Sequence, residues 1–343
     1  MSDQPQQYRL MGLDPSPYTA KVASYFAFKG IDYQWLSRTR KREKLFQAHA
    51  QVQLIPLLFL PSGETMQDST PIIERLEEQY PEPSIHPEDP TLWFLSCLFE
   101  EFGDEWCNKL MFFQRWFHQV DAKATGKRLA GELLQDAWWG GLAKPLLARF
   151  LVRRMVPRLV YSGGNETNIP QLQQSFEELT GLLDVHFQQH PYLLGQRPCF
   201  GDFGLWCNLY QAWTDPTAGA YIEAHAPTLL AYLKRMQSPS VEGEFAPLEQ
   251  LLPTLEPILA GDIATRFLPW MVANEAAWNA GEKETTLTMN GQLFRQKTFK
   301  YQAVTLAELR RKYLSVAEHQ PLNDLLARTG CLEAVRPSEP EKT

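Results

Sequence analysis

Up to Tyr80 the apolar residues of this chain switch repeatedly between short runs of strand length and stretches at helical spacing, and from Thr91 to about Pro239 the switching stops. That change of period restricts the chain to an α/β unit followed by a mostly helical one. Tyr8 to Leu13 is a strand-length run ended by Asp14-Pro15-Ser16-Pro17. Ala20, Val22, Ala23, Tyr25, Phe26 and Ala27 then recur at helical spacing until Lys29-Gly30 stops them. Ile31 to Leu36 reads as a second strand, and the basic segment from Arg38 to Lys44 leads into a helix around Phe46 and His49. Pro56 to Leu60 and Thr65-Met66 flank Pro61-Ser62-Gly63-Glu64 as a hairpin, and Ser69 to Tyr80 is an amphipathic helix. The order predicts βαβ-α-ββα over residues 1–85.

Pro81-Glu82-Pro83 and Pro87 to Pro90 have the composition of a linker. From Thr91 to about Pro239 the apolar residues keep helical spacing, which predicts an all-helical domain over residues 89–255. Residues 256–335 read as an extension. Within it Asn290-Gly291, between alternating segments, predicts a hairpin near 285–297, and Thr305-Leu306-Ala307-Glu308 has the spacing of a capping box opening a helix that runs through Leu314. Residues 336–343 are expected to form a flexible tail.

The bulk properties exclude several classes. With 343 residues, 44% hydrophobic and 21% charged, the chain is neither disordered nor fibrous, and a net charge of −7 argues against gripping nucleic acid by general electrostatics. Its five cysteines include no C-x-x-C pair, so neither a disulfide framework nor a metal site is expected, and a reducing compartment fits. The start MSDQPQQ lacks the features of a signal peptide, and no apolar stretch reaches the ~18 residues of a membrane span. A cytoplasmic protein with no membrane partner is the expectation.

Three segments of the α/β unit can carry chemistry. Ser16-Pro17-Tyr18 lies between a strand and a helix, where backbone N–H groups and the positive end of the helix dipole converge. The hydroxyl there either caps the helix or donates to a thiolate and lowers its pKa. Ile55-Pro56 opens a strand. A trans bond is the ordinary arrangement, and a cis bond would leave the Ile55 backbone free to pair with an extended peptide-like ligand. Asp68-Ser69 starts a helix, either as a simple cap or as a seat for a carboxylate, with Asp68 facing an amino group.

In this order and spacing, Ser16-Pro17-Tyr18 with Lys29-Gly30-Ile31, then Ile55-Pro56, then Asp68-Ser69 with Ile72-Ile73, the N-terminal unit resembles the glutathione transferase family. The resemblance covers most of residues 8–80. It implies a thioredoxin-like domain, an all-α second domain and a glutathione co-substrate, with no metal. Ser16 falls where serine-type members keep the thiol-activating hydroxyl, and Gly12 stands where tyrosine-type members keep their catalytic residue. Pro56 matches the family's cis-proline, Ile55 the residue whose backbone holds the cysteinyl part, and Asp68-Ser69 the pair that holds the γ-glutamyl group. Tyr18 joins the same binding set. Arg38, Arg40, Lys41 and Lys44 are candidates for the glycyl carboxylate, or equally form a solvated face.

The resemblance continues at Pro198-Cys199-Phe200-Gly201-Asp202, similar to the family's buried capping box, which makes Asp202 a structural residue with Cys199 in place of the usual hydroxyl. Phe99 to Trp106 lies on the helix that in relatives faces both the glutathione site and the dimer partner. Its crowded carboxylates require a cation, which makes Asp104 a candidate site residue, alternatively part of an acidic solvent face. Met111 and Phe112 follow at helical spacing as a possible second-substrate wall or core stripe. The implied function is a homodimeric glutathione S-transferase acting on a small apolar electrophile. The same thiolate chemistry also serves peroxide reduction or dehalogenation, and a non-catalytic glutathione- or protein-binding scaffold is the rival from another class.

Overall fold

The computed structural model describes residues 7–337; residues 338–343, most of the expected flexible tail, lie outside it. The N-terminal unit runs β1 (Tyr8–Gly12), α1 (Pro17–Lys29), β2 (Tyr33–Ser37), α2 (Glu43–His49), β3 (Leu57–Phe59), β4 (Thr65–Gln67) and α3 (Ser69–Gln79). The sheet order is β2-β1-β3-β4, with β2 parallel to β1 and both later pairings antiparallel. Successive residues of a strand face opposite sides, and here both sides are covered. Leu10 and Leu58 face α1 and α3 through Val22, Tyr25, Phe26, Ile72 and Ile73, whereas Met11, Leu36, Leu57 and Phe59 pack around Phe46 of α2.

The rest is mostly helical: α4 (Pro90–Phe102), α5 (Asn108–Phe117), α6 (Gln119–Leu133), α7 (Gly140–Met155), α8 (Ile169–Phe187), α9 (Phe200–Trp213), α10 (Pro216–His225) and α11 (Pro227–Arg235). After these come α12 (Leu248–Ile258), α13 (Leu268–Asn279), the hairpin β5 (Glu284–Met289) and β6 (Gln292–Lys297), α14 (Lys300–Leu314), α15 (Gln320–Thr329) and α16 (Leu332–Val335). This is a thioredoxin-like domain joined to an α-helical one. The central helix α9 crosses the end of α4 so closely that a Cβ on Gly103 would sit 2.3 Å from the Gly204 carbonyl carbon, and one on Gly204 would sit 2.7 Å from the Glu100 Cα. Only glycine permits that approach. The proline-rich joint is packed rather than loose: Ile85 is fully buried, its N–H donates to Glu77 at 3.0 Å and its carbonyl accepts from Phe200 at 3.0 Å.

The C-terminal extension shares the main core. Met289, Phe294, Leu306, Leu309, Tyr313, Leu322 and Leu325 belong to the cluster that holds Leu10, Phe94 and Trp106. Asn290 and Gly291 both take positive φ, 49° and 75°, as a two-residue hairpin turn requires. Thr305, expected as a helix cap, is instead inside α14, where its hydroxyl donates to the Gln302 carbonyl at 3.3 Å. The helix starts at Lys300 because Asn274 of α13 pins Phe299 from both sides, accepting from its N–H at 3.0 Å and donating to its carbonyl at 2.8 Å. With α14 in place, no residue of α4 is exposed.

Candidate active site

Ser16 caps α1, its Oγ accepting from the Thr19 N–H at 3.3 Å, with Pro17 in the first turn. As an acceptor in that bond, the hydroxyl keeps its own hydrogen free to donate. The turn before it is held by the helical domain. Arg115, buried on α5, donates to the Pro15 carbonyl at 2.8 Å while its Nε meets Asp215 at 2.6 Å, and Gln211 donates to the Asp14 carbonyl at 2.7 Å. A Cβ on Gly12 would fall 2.2 Å from the Thr19 side chain, so the backbone of β1 passes directly under the first turn of α1.

Beside this turn lies a cavity of about 560 Å³. Tyr18, Ile55, Pro56, Asp68, Ser69 and Asp104 all line it; Ser16 is not among its lining residues. The Ile55–Pro56 bond is cis, and among the described residues the Ile55 backbone makes no hydrogen bond. The loop before it is fixed by Gln67, whose Oε1 accepts from the Gln51 and Val52 N–H groups at 2.7 and 3.0 Å. Its Nε2 donates to the Val52 and Leu54 carbonyls at 2.9 and 2.7 Å. Asp68, at φ 75°, turns the chain into α3 and is exposed to the cavity side. Ser69 is 1% exposed, yet its Oγ has no hydrogen-bond partner. An unpaired buried hydroxyl at the start of a helix is a donor left open toward an anion.

The opposite wall is acidic, Asp104 and Glu105, and comes from the π-helical turn Gly103–Cys107 that follows α4. The cation that the crowded carboxylates require is Lys21 of α1, which is fully buried. Its Nζ reaches Glu100 Oε1 at 2.5 Å, Asp104 Oδ2 at 2.7 Å and Thr70 Oγ1 at 3.0 Å. Burial pulls the Lys21 pKa down, but Asp104 and Glu100 together push it above the ordinary value, so the ammonium stays charged. Burial raises the Asp104 carboxyl to about 7, with Lys21 opposing and Glu100 competing for the same ammonium. Tyr18 donates to the Asp104 carbonyl at 3.0 Å, and burial raises its pKa so that the hydroxyl remains a donor.

A further wall of the cavity comes from the far end of the chain. Tyr301, on the first turn of α14, lines it beside Asp68, Asp104 and Glu105, and Gln302 donates to Glu105 at 2.8 Å. Burial, followed by the Asp68 and Glu105 carboxylates, raises the Tyr301 pKa and keeps its hydroxyl protonated.

Several expected residues lie elsewhere. Met111 is buried in the main core and Phe112 packs with Trp116 and Leu159, so neither walls the cavity. None of Arg38, Arg40, Lys41 or Lys44 lines it either; Arg38 is bidentate on Glu43, at 2.9 and 2.8 Å, over the Phe46 ring. His49 and Gln51 stand at that end of the cavity instead. Asp202 is buried away from the site, where it accepts from the Cys199 and Leu193 N–H groups at 2.8 and 3.0 Å. A larger cleft of about 760 Å³ opens near the joint, but Glu77 at its edge is occupied by Tyr25 and Lys29, both at 2.7 Å, and by Ile85. That carboxylate ties α1 to the start of the proline-rich joint.

Comparison with known proteins bears on the same segment. The family model for the glutathione S-transferase N-terminal domain matches residues 10–84. Glutathione S-transferase U7 of Arabidopsis thaliana is 26% identical over 102 residues, 29% of this chain and 44% of that protein. A probable glutathione S-transferase of Nicotiana tabacum is 27% identical over 132 residues, 38% of this chain and 57% of that one. The chain thus spans about half the length of the curated relatives it matches. Among solved structures, a Tau class glutathione S-transferase from mango, Mangifera indica, is 18% identical with a TM-score of 0.42, covering 74% of this chain and 99% of that one. Residues 10–84 are thus a glutathione S-transferase N-terminal domain by family match, and the rest of the chain lies outside that match.

Proposed function

We propose that the chain is a glutathione-dependent transferase that activates the thiol of glutathione for attack on a small electrophile. The observation that supports it most is the pairing of an unpartnered, buried Ser69 hydroxyl with exposed Asp68 at the start of α3, facing the free backbone of Ile55 across one cavity. Glutathione has the complementary parts in the same order. Its γ-glutamyl carboxylate takes the Ser69 hydroxyl and the open N–H groups of α3, and its amino group takes Asp68. Its cysteinyl amide pairs with Ile55.

That seating directs the thiol toward the start of α1. Ser16 then donates its free hydroxyl hydrogen to the sulfur, and the end of the helix favours the negative charge, so the thiolate is populated near neutral pH. The electrophile enters against Tyr18 and Tyr301, above the wall of Asp104 and Glu105. Holding thiolate and electrophile together is the remaining part of the rate enhancement. The homodimer that the resemblance implies would have to use a surface other than α4, whose residues are covered within the chain by α9, α14 and α15.

The test is the ultraviolet absorbance of thiolate in glutathione complexes of the wild type and Ser16→Ala, across pH, once calorimetry has measured binding. The expected result is ionisation well below about 8.5, the value for a free thiol, in the wild type alone, with both proteins binding. Binding without ionisation in either protein would make this a glutathione-binding scaffold, and no binding would remove glutathione as the ligand.

A further inference from the structure

The solvent side of α7 is unused by the site. On its inner side Ala148, Val152 and Met155 pack toward α6, so closely that a Cβ on Gly126 would stand 2.7 Å from the Val152 side chain. On the outer side Leu142, Leu146 and Phe150 stand a turn apart and are 85%, 71% and 56% exposed, and Trp138 just before the helix is 95% exposed. Single exposed apolar residues need no explanation. This row, however, continues into a mostly apolar groove of about 530 Å³ lined by Leu133, Leu134, Trp139 and Leu147 and also by Arg38, Arg40 and Glu43, and a continuous patch of that kind marks a contact surface.

Along α7 and its flanking residues the charge is of one sign. Lys144, Arg149, Arg153, Arg154 and Arg158 accompany the row, and no Asp or Glu occurs from Ala137 to Asn165, on a chain whose net charge is −7. Among the described residues none of these five cations is in an ion pair. Three carboxylates near the row are already engaged: Glu43, which lines the groove, with Arg38 at 2.9 and 2.8 Å, Glu132 with the Asp14 N–H at 2.9 Å and Asp136 with the Thr39 hydroxyl at 2.6 Å.

We propose that this face docks on an anionic lipid bilayer. Trp138, Leu142, Leu146 and Phe150 enter the boundary between headgroups and acyl chains, while the flanking arginines hold lipid phosphates and carboxylates. A second copy of the chain fits worse, because a two-fold contact would set the patch against itself, unpaired cations facing unpaired cations. The expectation of no membrane partner rested on the lack of a spanning segment. No helix is long and apolar enough to cross a membrane among the described residues, but a helix lying in the surface plane does not need to be.

The experiment is sedimentation of the full chain with phosphatidylcholine vesicles, with and without phosphatidylserine. The chain should pellet with the phosphatidylserine vesicles, be released by salt, and stay in solution with phosphatidylcholine alone. The triple substitutions Leu142→Gln/Leu146→Gln/Phe150→Gln and Arg149→Gln/Arg153→Gln/Arg154→Gln should each weaken partitioning at least about tenfold, with melting temperature and glutathione affinity unchanged. Should a triple variant melt early, the single Leu146→Gln, read the same way, replaces it. No pelleting with phosphatidylserine, equal pelleting with both vesicle types, or full binding by the Leu/Phe variant would each overturn the proposal. So would light scattering that shows a dimer dissolved by the Leu/Phe substitutions, which would give the face to a second copy.

Discussion

Ser69 and Asp202 are both buried polar residues in the first turn of a helix, and they differ in whether the protein itself satisfies them. The Asp202 carboxylate accepts two backbone N–H groups, from Cys199 and Leu193. Asp202→Ala leaves both donors buried and unpaired, so the expected loss is about 2–3 kcal/mol, read as an earlier urea midpoint with glutathione affinity unaffected in the folded fraction. Ser69 Oγ has no partner to lose. Ser69→Ala should therefore leave the melting temperature unchanged or slightly raised, while calorimetry shows glutathione binding weakened by about tenfold, the worth of one hydrogen bond to a charged group. A fall in melting temperature with full affinity would make Ser69 structural and empty the proposed seat. Both positions were legible in the sequence, because a helix start has a local signature; that one hydroxyl is satisfied and the other is not depends on packing the signature does not contain.

At the scale of elements, the joint between the two domains is an ion cluster that the sequence did not disclose. A lysine on an amphipathic helix reads as solvent-facing, and the partners of Lys21 lie 79 and 83 residues away, in α4 and the turn after it. The acidic run itself was legible and so was its need for a cation. The βαβ-α-ββα order was legible too, since β1, α1 and α3 end at a local Pro or Gly and β3 and β4 flank a hairpin signal. Thr305 shows the reverse case, a valid local cap signal overridden by Asn274, which starts α14 earlier. Lys21→Met strips the ammonium from two buried carboxylates and should cost about 3–5 kcal/mol at neutral pH. The pH dependence follows from Asp104, raised by burial to about 7 even with Lys21 present. A carboxyl whose folded pKa exceeds its unfolded value of about 3.9 binds more protons in the native state, so its penalty is absent at low pH and grows as pH rises toward the folded pKa. Without Lys21 that pKa climbs further. Up to that wild-type folded pKa both proteins carry the same growing penalty, so the gap in urea midpoint between wild type and Lys21→Met should stay flat from about pH 5 to about pH 6.5 and widen above about pH 7, and a gap constant through about pH 9 would mean the carboxylates are not what Lys21 serves.

On the scale of the whole molecule, the extension is neither a tether nor a separate unit. Tyr313 packs edge to face on Phe94 of α4, Lys312 reaches Glu74 of α3 at 2.9 Å, and Gln296 of β6 accepts from the buried Lys109 of α5 at 2.7 Å. Those contacts place α14 and the hairpin against both domains and carry Tyr301 into the cavity between them. Tyr301 and Gln302 had no local signal to find them by, since their neighbours in space are nearly 200 residues or more away in the chain. A chain ended after Gly281 would expose Phe94 and Trp106, both fully or almost fully buried now, together with the stem of Lys109. With one continuous core, the loss is not confined to the cut end. The full chain should accordingly unfold in urea in a single transition, coincident by far-ultraviolet circular dichroism and tryptophan fluorescence. The shortened chain should keep helical signal, lose near-ultraviolet dichroism and bind ANS. If instead the shortened chain folds cooperatively and still binds glutathione at full strength, the extension is a detachable domain, and the wall that Tyr301 gives the cavity is dispensable.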